Sequence, residues 1–442
     1  MKKIFAFACI LMLPLSYTAA EGYQVNSQSA KQAGMGHVGA ALKLGAESMH
    51  FNPAGLAFMN NSIDLSAGVS AVISSGDFKN GNYKHKIDND PSTPLYFYAG
   101  FKVYDFLAAG ISVTNPYGSA MNWGKNWEGS HLIQDISLKS FSIQPTVAFK
   151  IGDRLSVGGG LMVMFGDFSL SRALISSNDI AMLAQLRPEL TPIADKYKGI
   201  TPIAATLSGD AGLKLGYNLG AMFDLNDKIT IGVSYRSKVK MEVEEGTAAL
   251  NYANETELKA IFSTIPPLDR GTFEASLPLP SNVNVGVSYK PTDKLLLSGE
   301  VQFVGWGAYK ALNVQFSQEV LEGYSINAEK NYKNSRIYRI GGQYATTDRL
   351  DLRLGFYFDE TPVKDEFLNP ETPSMNKLGM SAGLSFRPLS RLSVDFAMAY
   401  TTGFGRDGSY TDVSPITGDP RRFPGHYKIR AFTPTIGLSY SF

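Results

Sequence analysis

The 442-residue sequence predicts an all-β fold, a 14-stranded antiparallel transmembrane β-barrel whose lumen is plugged by a small, partly helical N-terminal hatch. Three observations predict it. An export signal opens the chain, yet no later stretch has the roughly 18 uninterrupted apolar residues that a membrane-crossing helix needs. Segments in which apolar and polar residues alternate recur from Ile63 to the C-terminus, the period of a strand with two unlike faces. Short polar turns alternate with long connections, as in outer-membrane barrels with tight periplasmic turns and larger outer loops.

The first twenty residues form the signal peptide. Met1-Lys2-Lys3 is its positive start, Ile4 to Leu15 its apolar stretch, and Thr18-Ala19-Ala20 its small-residue cleavage site. Residues 21–61 are then expected to be the hatch and 62–442 the barrel. The single cysteine, Cys9, leaves with the signal, so the mature chain has no thiol chemistry. Charged residues make up 18% of the chain, aromatic residues 12%, and 43 residues are glycine, which suits short alternating strands better than helical bundles. A formal net charge of +1 gives no nucleic-acid footprint.

Alternation begins at Ile63 to Ala71 and recurs in Leu95 to Val103, Ile143 to Ile151, Leu213 to Leu225, Val283 to Tyr289 and Leu295 to Phe303. Tight turns fall at Tyr104-Asp105, Gly152-Asp153-Arg154, Asn226-Asp227-Lys228, Thr292-Asp293-Lys294, Thr347-Asp348-Arg349 and Leu389-Ser390-Arg391. Between the hairpins lie longer stretches, among them Ser171 to Ser208, Glu245 to Gly271 and Phe404 to Tyr427. An even strand count puts the hatch and the C-terminus at the same, periplasmic end. The last strand, Thr435 to Phe442, is apolar at alternate positions and ends on an aromatic residue, like the signal by which the barrel assembly machinery recognises its clients.

Several motifs lie in order along this frame. Asn52-Pro53-Ala54-Gly55-Leu56 follows a glycine-rich run from Gly34 to Leu42. Leu277 to Tyr289, then Val304-Gly305-Trp306, and Leu352 to Val363 follow downstream. Together they resemble the long-chain fatty acid outer-membrane channel family across nearly the whole mature chain. The resemblance implies an outer-membrane location and a long-chain fatty acid or other hydrophobic small molecule as cargo, moved by diffusion. It also implies outer-membrane lipid as neighbour and a monomeric barrel.

It implies site residues too. Asn52, Pro53 and Ala54 would hold or gate the hatch; their bland reading is a turn before the first strand. Asn115-Pro116-Tyr117-Gly118 would kink the third strand and open the wall sideways, with Pro116 and Gly118 carrying the break; the same residues would serve as an ordinary turn. Ile180 and Leu183 in one long loop, and Leu258, Ile261 and Phe262 in another, would form an apolar capture groove, unless the two loops pack on each other as a lid. Arg172 and Lys333 stand near where the family places its head-group cations. The other lumen charges, Arg236, Lys238, Lys240 and Arg353 among them, are expected to pair with carboxylates.

Nothing points to catalysis, a metal or a cofactor. His37, His50, His85, His131 and His426 are scattered without ligand spacing, and Gly34-Met35-Gly36-His37-Val38-Gly39 matches a dinucleotide fingerprint without the strand and helix that it needs. An aromatic hydrocarbon channel of the same family, an outer-membrane lipid hydrolase and a purely structural barrel remain the alternatives.

Overall fold

Strands whose two faces differ in polarity need either a second layer or a lipid bath for the apolar face, and this chain supplies no second layer. In the computed structural model, which describes residues 23–442 apart from 264, 266, 268–270 and 415–417, they close on themselves instead. The expected signal peptide, residues 1–20, lies outside the described residues, as do the first two residues of the expected hatch.

The strands are β1 (Ile63–Ser70, continued after a bend by Ile73–Asn80), β2 (Leu95–Tyr104), β3 (Leu107–Thr114, resumed at Gly118–Asn122), β4 (Asp135–Ile151), β5 (Leu155–Ile175), β6 (Ile203–Asn226) and β7 (Ile229–Arg236 with Val239–Tyr252). The second half adds β8 (Thr272–Leu279 with Asn282–Thr292), β9 (Leu295–Val304 with Ala311–Phe316), β10 (Ser335–Thr347), β11 (Leu350–Asp359), β12 (Lys377–Leu389), β13 (Leu392–Gly403 with Arg406–Val413) and β14 (Pro420–Ser441). Each pairs antiparallel with the next in chain order. Closure comes from β14 returning to β1, in register from Asp64↔Ser441 to Ser70↔Thr435 and again from Ile73↔Phe432 to Lys79↔His426. A closed sheet has no edge to leave unpaired in lipid.

Polarity is inverted relative to a soluble protein. Leu213 and Leu354 are 70% and 62% exposed, while Ser112 and Asp395 keep 2% and 1% of their surface. Apolar side chains face out and polar ones face the lumen, as a barrel in a bilayer requires. Several strands run far beyond that bilayer. β6 has 24 residues, whereas about 9–11 suffice for a crossing. Much of what the sequence assigns to loops in Ser171 to Ser208, Glu245 to Gly271 and Phe404 to Tyr427 is therefore strand. Above the membrane neither face has to be apolar, so the alternation that marks a strand fades while the ladder continues.

Residues 23–61 fold inside the ring. They contain two single-turn helices, α1 (Ala30–Ala33) and α2 (Ser48–Phe51), and two 3₁₀ segments, Gly45–Glu47 and Pro53–Phe58. Ser29 caps α1 by accepting from the Gln32 N–H, and Asn52 does the same for the second 3₁₀ segment through the Ala54 N–H.

Candidate ligand path through the lumen and the wall

The inner face of the barrel carries glycines where the hatch backbone passes. A Cβ at Gly232 would strike the Ala40 carbonyl, one at Gly355 the Gly36 nitrogen, and one at Gly220 the Asn52 side chain. At Gly158 it would lie 2.6 Å from the Pro53 carbonyl carbon, and at Gly110 2.7 Å from the Met49 sulfur. In the sequence each of these glycines looks like a neutral member of an alternating strand, and nothing local marks it as a contact. Asn52, fully buried, is the main tether. Its Nδ2 donates to the carbonyls of Ala40, Ala221 and Val233 at 2.6, 3.1 and 3.3 Å, joining the hatch to itself, to β6 and to β7. Pro53 and Ala54 are buried beside it against Gly158 of β5. A second anchor is ionic. Buried Glu47 accepts from Ser29 at 2.5 Å and from Ser66 of β1 at 2.6 Å, and it pairs with Lys31 at 3.3 Å. Lys31 in turn donates to Ser439 of β14 at 2.7 Å.

The wall is interrupted at β3. Thr114 lies opposite Ser142 of β4 and Gly118 opposite Lys139, so four steps on one strand face three on the other. That is a one-residue bulge centred on a proline that has no N–H to give. Tyr117 N–H donates to the Ser140 hydroxyl at 3.0 Å instead of to a ladder carbonyl. On the other side β2 stops at Leu95, whose N–H donates to the Asn115 side chain at 3.0 Å, and the last register pair is Tyr96↔Thr114. Beyond it, the outer part of β3 has no β2 residue opposite it. The hatch takes over some of its bonds: Val25 N–H donates to the Pro116 carbonyl at 3.1 Å and Gly118 N–H to the Tyr23 carbonyl at 2.8 Å.

A cavity of about 680 Å³ occupies this break. It starts at hatch residues Gln24 to Ser27 and His37, passes Tyr357 and Thr401, and reaches outward-facing Leu95, Lys139 and Phe141 on the barrel exterior. Gly118 lines it, and a Cβ there would have only the Leu138 carbonyl and a Val25 methyl at 3.4 Å. Both Pro116 and Gly118 sit at this discontinuity.

The apolar loop residues are arranged differently from an open groove. Helix α3 (Ser177–Leu186) starts with a capping box between Ser176 and Asp179; α4 (Thr191–Lys196) follows in the same loop, and α5 (Glu255–Ile261) is capped by Asn254. Ile180 and Leu258 are fully buried in one cluster with Ile175, Tyr197 and Ile203, and Phe262 packs against it. Leu183 and Ile261 are half-buried. Lys196 and Glu257 join the two loops at 2.6 Å. The same three-and-four spacing that would line a groove here packs one loop on the other.

The cations also differ from expectation. The Arg172 side chain has no hydrogen bond or ion pair among the described residues, although Asp412 and Glu371 act on it electrostatically. Lys333 is exposed and lines an outer depression with Lys364 and Arg406, and it is not part of the lining of the cavity at the β3 break. The buried lysine of that region is Lys330, paired with Glu371 at 2.7 Å. Arg353 does pair, with Asp351 at 3.7 Å. Arg236 does not: it donates to the His50 carbonyl at 2.7 Å and to His50 Nδ1 at 3.1 Å, with no carboxylate partner among the described residues. Among those residues no group of three His, Cys, Asp or Glu side chains is placed to hold a metal.

A family model described as outer membrane protein transport protein (OMPP1/FadL/TodX) matches residues 12–442. The chain belongs to this family. It is an outer-membrane transport channel, and its barrel is that of its relatives. A Neisseria meningitidis serogroup B chain named as an outer membrane protein is 28% identical over 471 residues, covering 98% of this chain and 97% of that one. The long-chain fatty acid transport protein of Escherichia coli K12 is 23% identical over 430 residues, 91% of this chain and 92% of its own. Among solved structures, a Pseudomonas aeruginosa FadL homologue superposes with a TM-score of 0.79 at 18% identity, over 95% of this chain and all of that one. The Pseudomonas putida toluene transporter TodX does so at 0.69 and 15% identity, over 97% and 99%. At these identities the structural likeness speaks for the fold alone.

Proposed function

We propose that this channel admits long-chain fatty acids or similarly hydrophobic small molecules by diffusion, holding them against the hatch and releasing them sideways through the break in β3. One observation carries the reading: a single cavity begins on hatch residues and ends on the outward face of the wall beside Pro116. Its volume of about 680 Å³ lies within the roughly 300–1,000 Å³ of small-molecule sites. A lumen filled by the hatch speaks against a general porin. No catalytic step is assigned, and no coupling segment is invoked for energy. The barrel acts as a monomer in this scheme, with lipid as the receiving phase.

Binding of a fluorescent long-chain fatty acid to the purified mature protein tests it, in competition with unlabelled acid and with toluene. Displacement by the acid supports the reading, and absence of any binding removes it. The second reading is an aromatic hydrocarbon channel. It is favoured by the position of Lys333 outside the main cavity, which removes one expected head-group cation. Displacement by toluene at the potency of the acid would select it.

A further inference from the structure

Beside the cavity at the β3 break lies a smaller chamber of about 50 Å³, lined by both hatch and barrel. Gln24, Val25, Asn26, His37 and Tyr117 line both spaces, so the two adjoin. One water needs roughly 10–15 Å³ by this kind of measure, so the chamber has room for a few waters or for one carboxylate. Its lining is polar and cationic. Arg236 and Arg339 both contribute to it, together with His37, His50 and a single acid, Glu300.

The charges do not balance. Glu300 is already committed: its Oε2 accepts from the hatch N–H groups of Gly39 and Ala40 at 2.8 and 2.7 Å, and its Oε1 lies 3.6 Å from Arg339. Arg236 has no acid at all among the described residues. Only its Nη2 is engaged, by His50, which leaves the remaining N–H donors of the guanidinium unassigned. Two further polar atoms in the same lining, Arg339 Nε and His37 Nδ1, are buried without a hydrogen-bond partner. Arg236 is half-buried and faces the chamber with no anion beside it, and the orphaned Arg339 Nε and His37 Nδ1 next to it are fully buried, so the lining is short of an acceptor. A carboxylate in the chamber would answer both, accepting from Arg236 and from Arg339 Nε. Planar two-oxygen acceptors are what a guanidinium fork fits best.

We propose that this chamber is a carboxylate subsite, in which the ionised head of an amphipathic ligand sits between Arg236 and Arg339 while its hydrocarbon tail lies in the larger cavity. The proposal rests on the reading of the protein as a channel for hydrophobic molecules and adds the head group to it. It also moves carboxylate recognition from the outer positions Arg172 and Lys333 to the hatch.

The test compares oleate with oleyl alcohol as competitors for a fluorescent fatty acid on the full mature protein and on Arg236→Gln. Oleate should bind wild type more tightly than the alcohol does, and the substitution should weaken oleate roughly tenfold or more while sparing the alcohol, as expected for loss of a charge-assisted hydrogen bond. Arg236→Lys should retain part of the acid preference. Unchanged oleate affinity in Arg236→Gln overturns the subsite, and so does an equal loss for acid and alcohol, which would mean that Arg236 only packs the hatch. Should the variant not fold, carboxyl-¹³C oleate bound to wild type decides by NMR: a head that stays ionised well below its protonation range in micelles supports the subsite, and ordinary titration overturns it. Wild type that binds alcohol as well as oleate removes the subsite alone. Wild type that binds neither removes the channel reading itself.

Discussion

Replacing Gly232 with leucine sets the hatch against the wall at a point where neither can yield easily. The added Cβ would meet the Ala40 carbonyl, with the carbonyl carbon at 2.5 Å and the Ala41 Cα at 2.9 Å, all backbone atoms. Overpacking of this kind costs about 1–3 kcal/mol even where side chains can shift. Here the strand is fixed by its ladder to β6 and β8, so the hatch must move. Opposing that are the Asn52 bonds to Ala221 and Val233 of the wall, each worth about 0.5–1.5 kcal/mol. The two sides are comparable, so Gly232→Leu should raise the population of a displaced hatch by about 10–100-fold without unfolding the barrel. Ion conductance of single proteins in a planar bilayer would report it as more frequent open events. Gly212→Leu is the control, since a Cβ at Gly212 on β6 meets nothing within 4 Å. Wild-type conductance in Gly232→Leu, with an unchanged protease pattern in residues 23–61, would refute the view that these glycines exist to admit the hatch.

Other perturbations follow the same geometry. Asn52→Leu removes the donated bonds, two of which join the hatch to the wall; hatch displacement should rise by at least tenfold in the same recordings. Gly118→Trp has space for its Cβ and would fill the cavity at the wall, so fatty acid uptake by whole cells should fall several-fold while the barrel still reaches the membrane in normal amounts. Acid should weaken the fold through the hatch. Burial first, then Arg339, lowers His37 to about 3, and burial, then Arg236, takes His50 well below its usual value. Both imidazoles are neutral when folded, so their stabilisation is full above about pH 6.5 and is lost as pH falls below it, at up to ~1.4 kcal/mol per group per pH unit. Thermal unfolding, followed by heat-modified gel mobility, should come earlier at pH 5 than at pH 8, and His37→Gln should flatten that slope.

Strand content and turn polarity were legible because a bilayer outside and a polar lumen inside impose a period of two across so much of the chain. The break at Pro116 was legible too, since proline cannot complete a ladder. Other features depend on what lies across the lumen, which periodicity does not carry. Lys330 and Lys333 are three residues apart in sequence, yet one is sealed in an ion pair and the other faces solvent. Arg236 and Arg353 look alike as inward cations, but only Arg353 has an acid beside it. Ile180 and Leu258 carry a helical apolar stripe that serves a groove or a core equally well, and the partner that decides between them lies 78 residues away.

The ionic anchor at Glu47 and Lys31 bears on how the cylinder stays shut. Every strand pair but one joins neighbours in the chain; β1 and β14 instead pair residues as far apart in sequence as Asp64 and Ser441. Loop-closure entropy is greatest for that seam. Glu47 bonds Ser66 on one side of it and Lys31 bonds Ser439 on the other, while the two are paired with each other. The hatch therefore staples the seam from within. Loss of the N-terminal segment should be felt first not as an open pore but as a loosened joint between the first and last strands, where the two ends of the barrel sequence are sewn together.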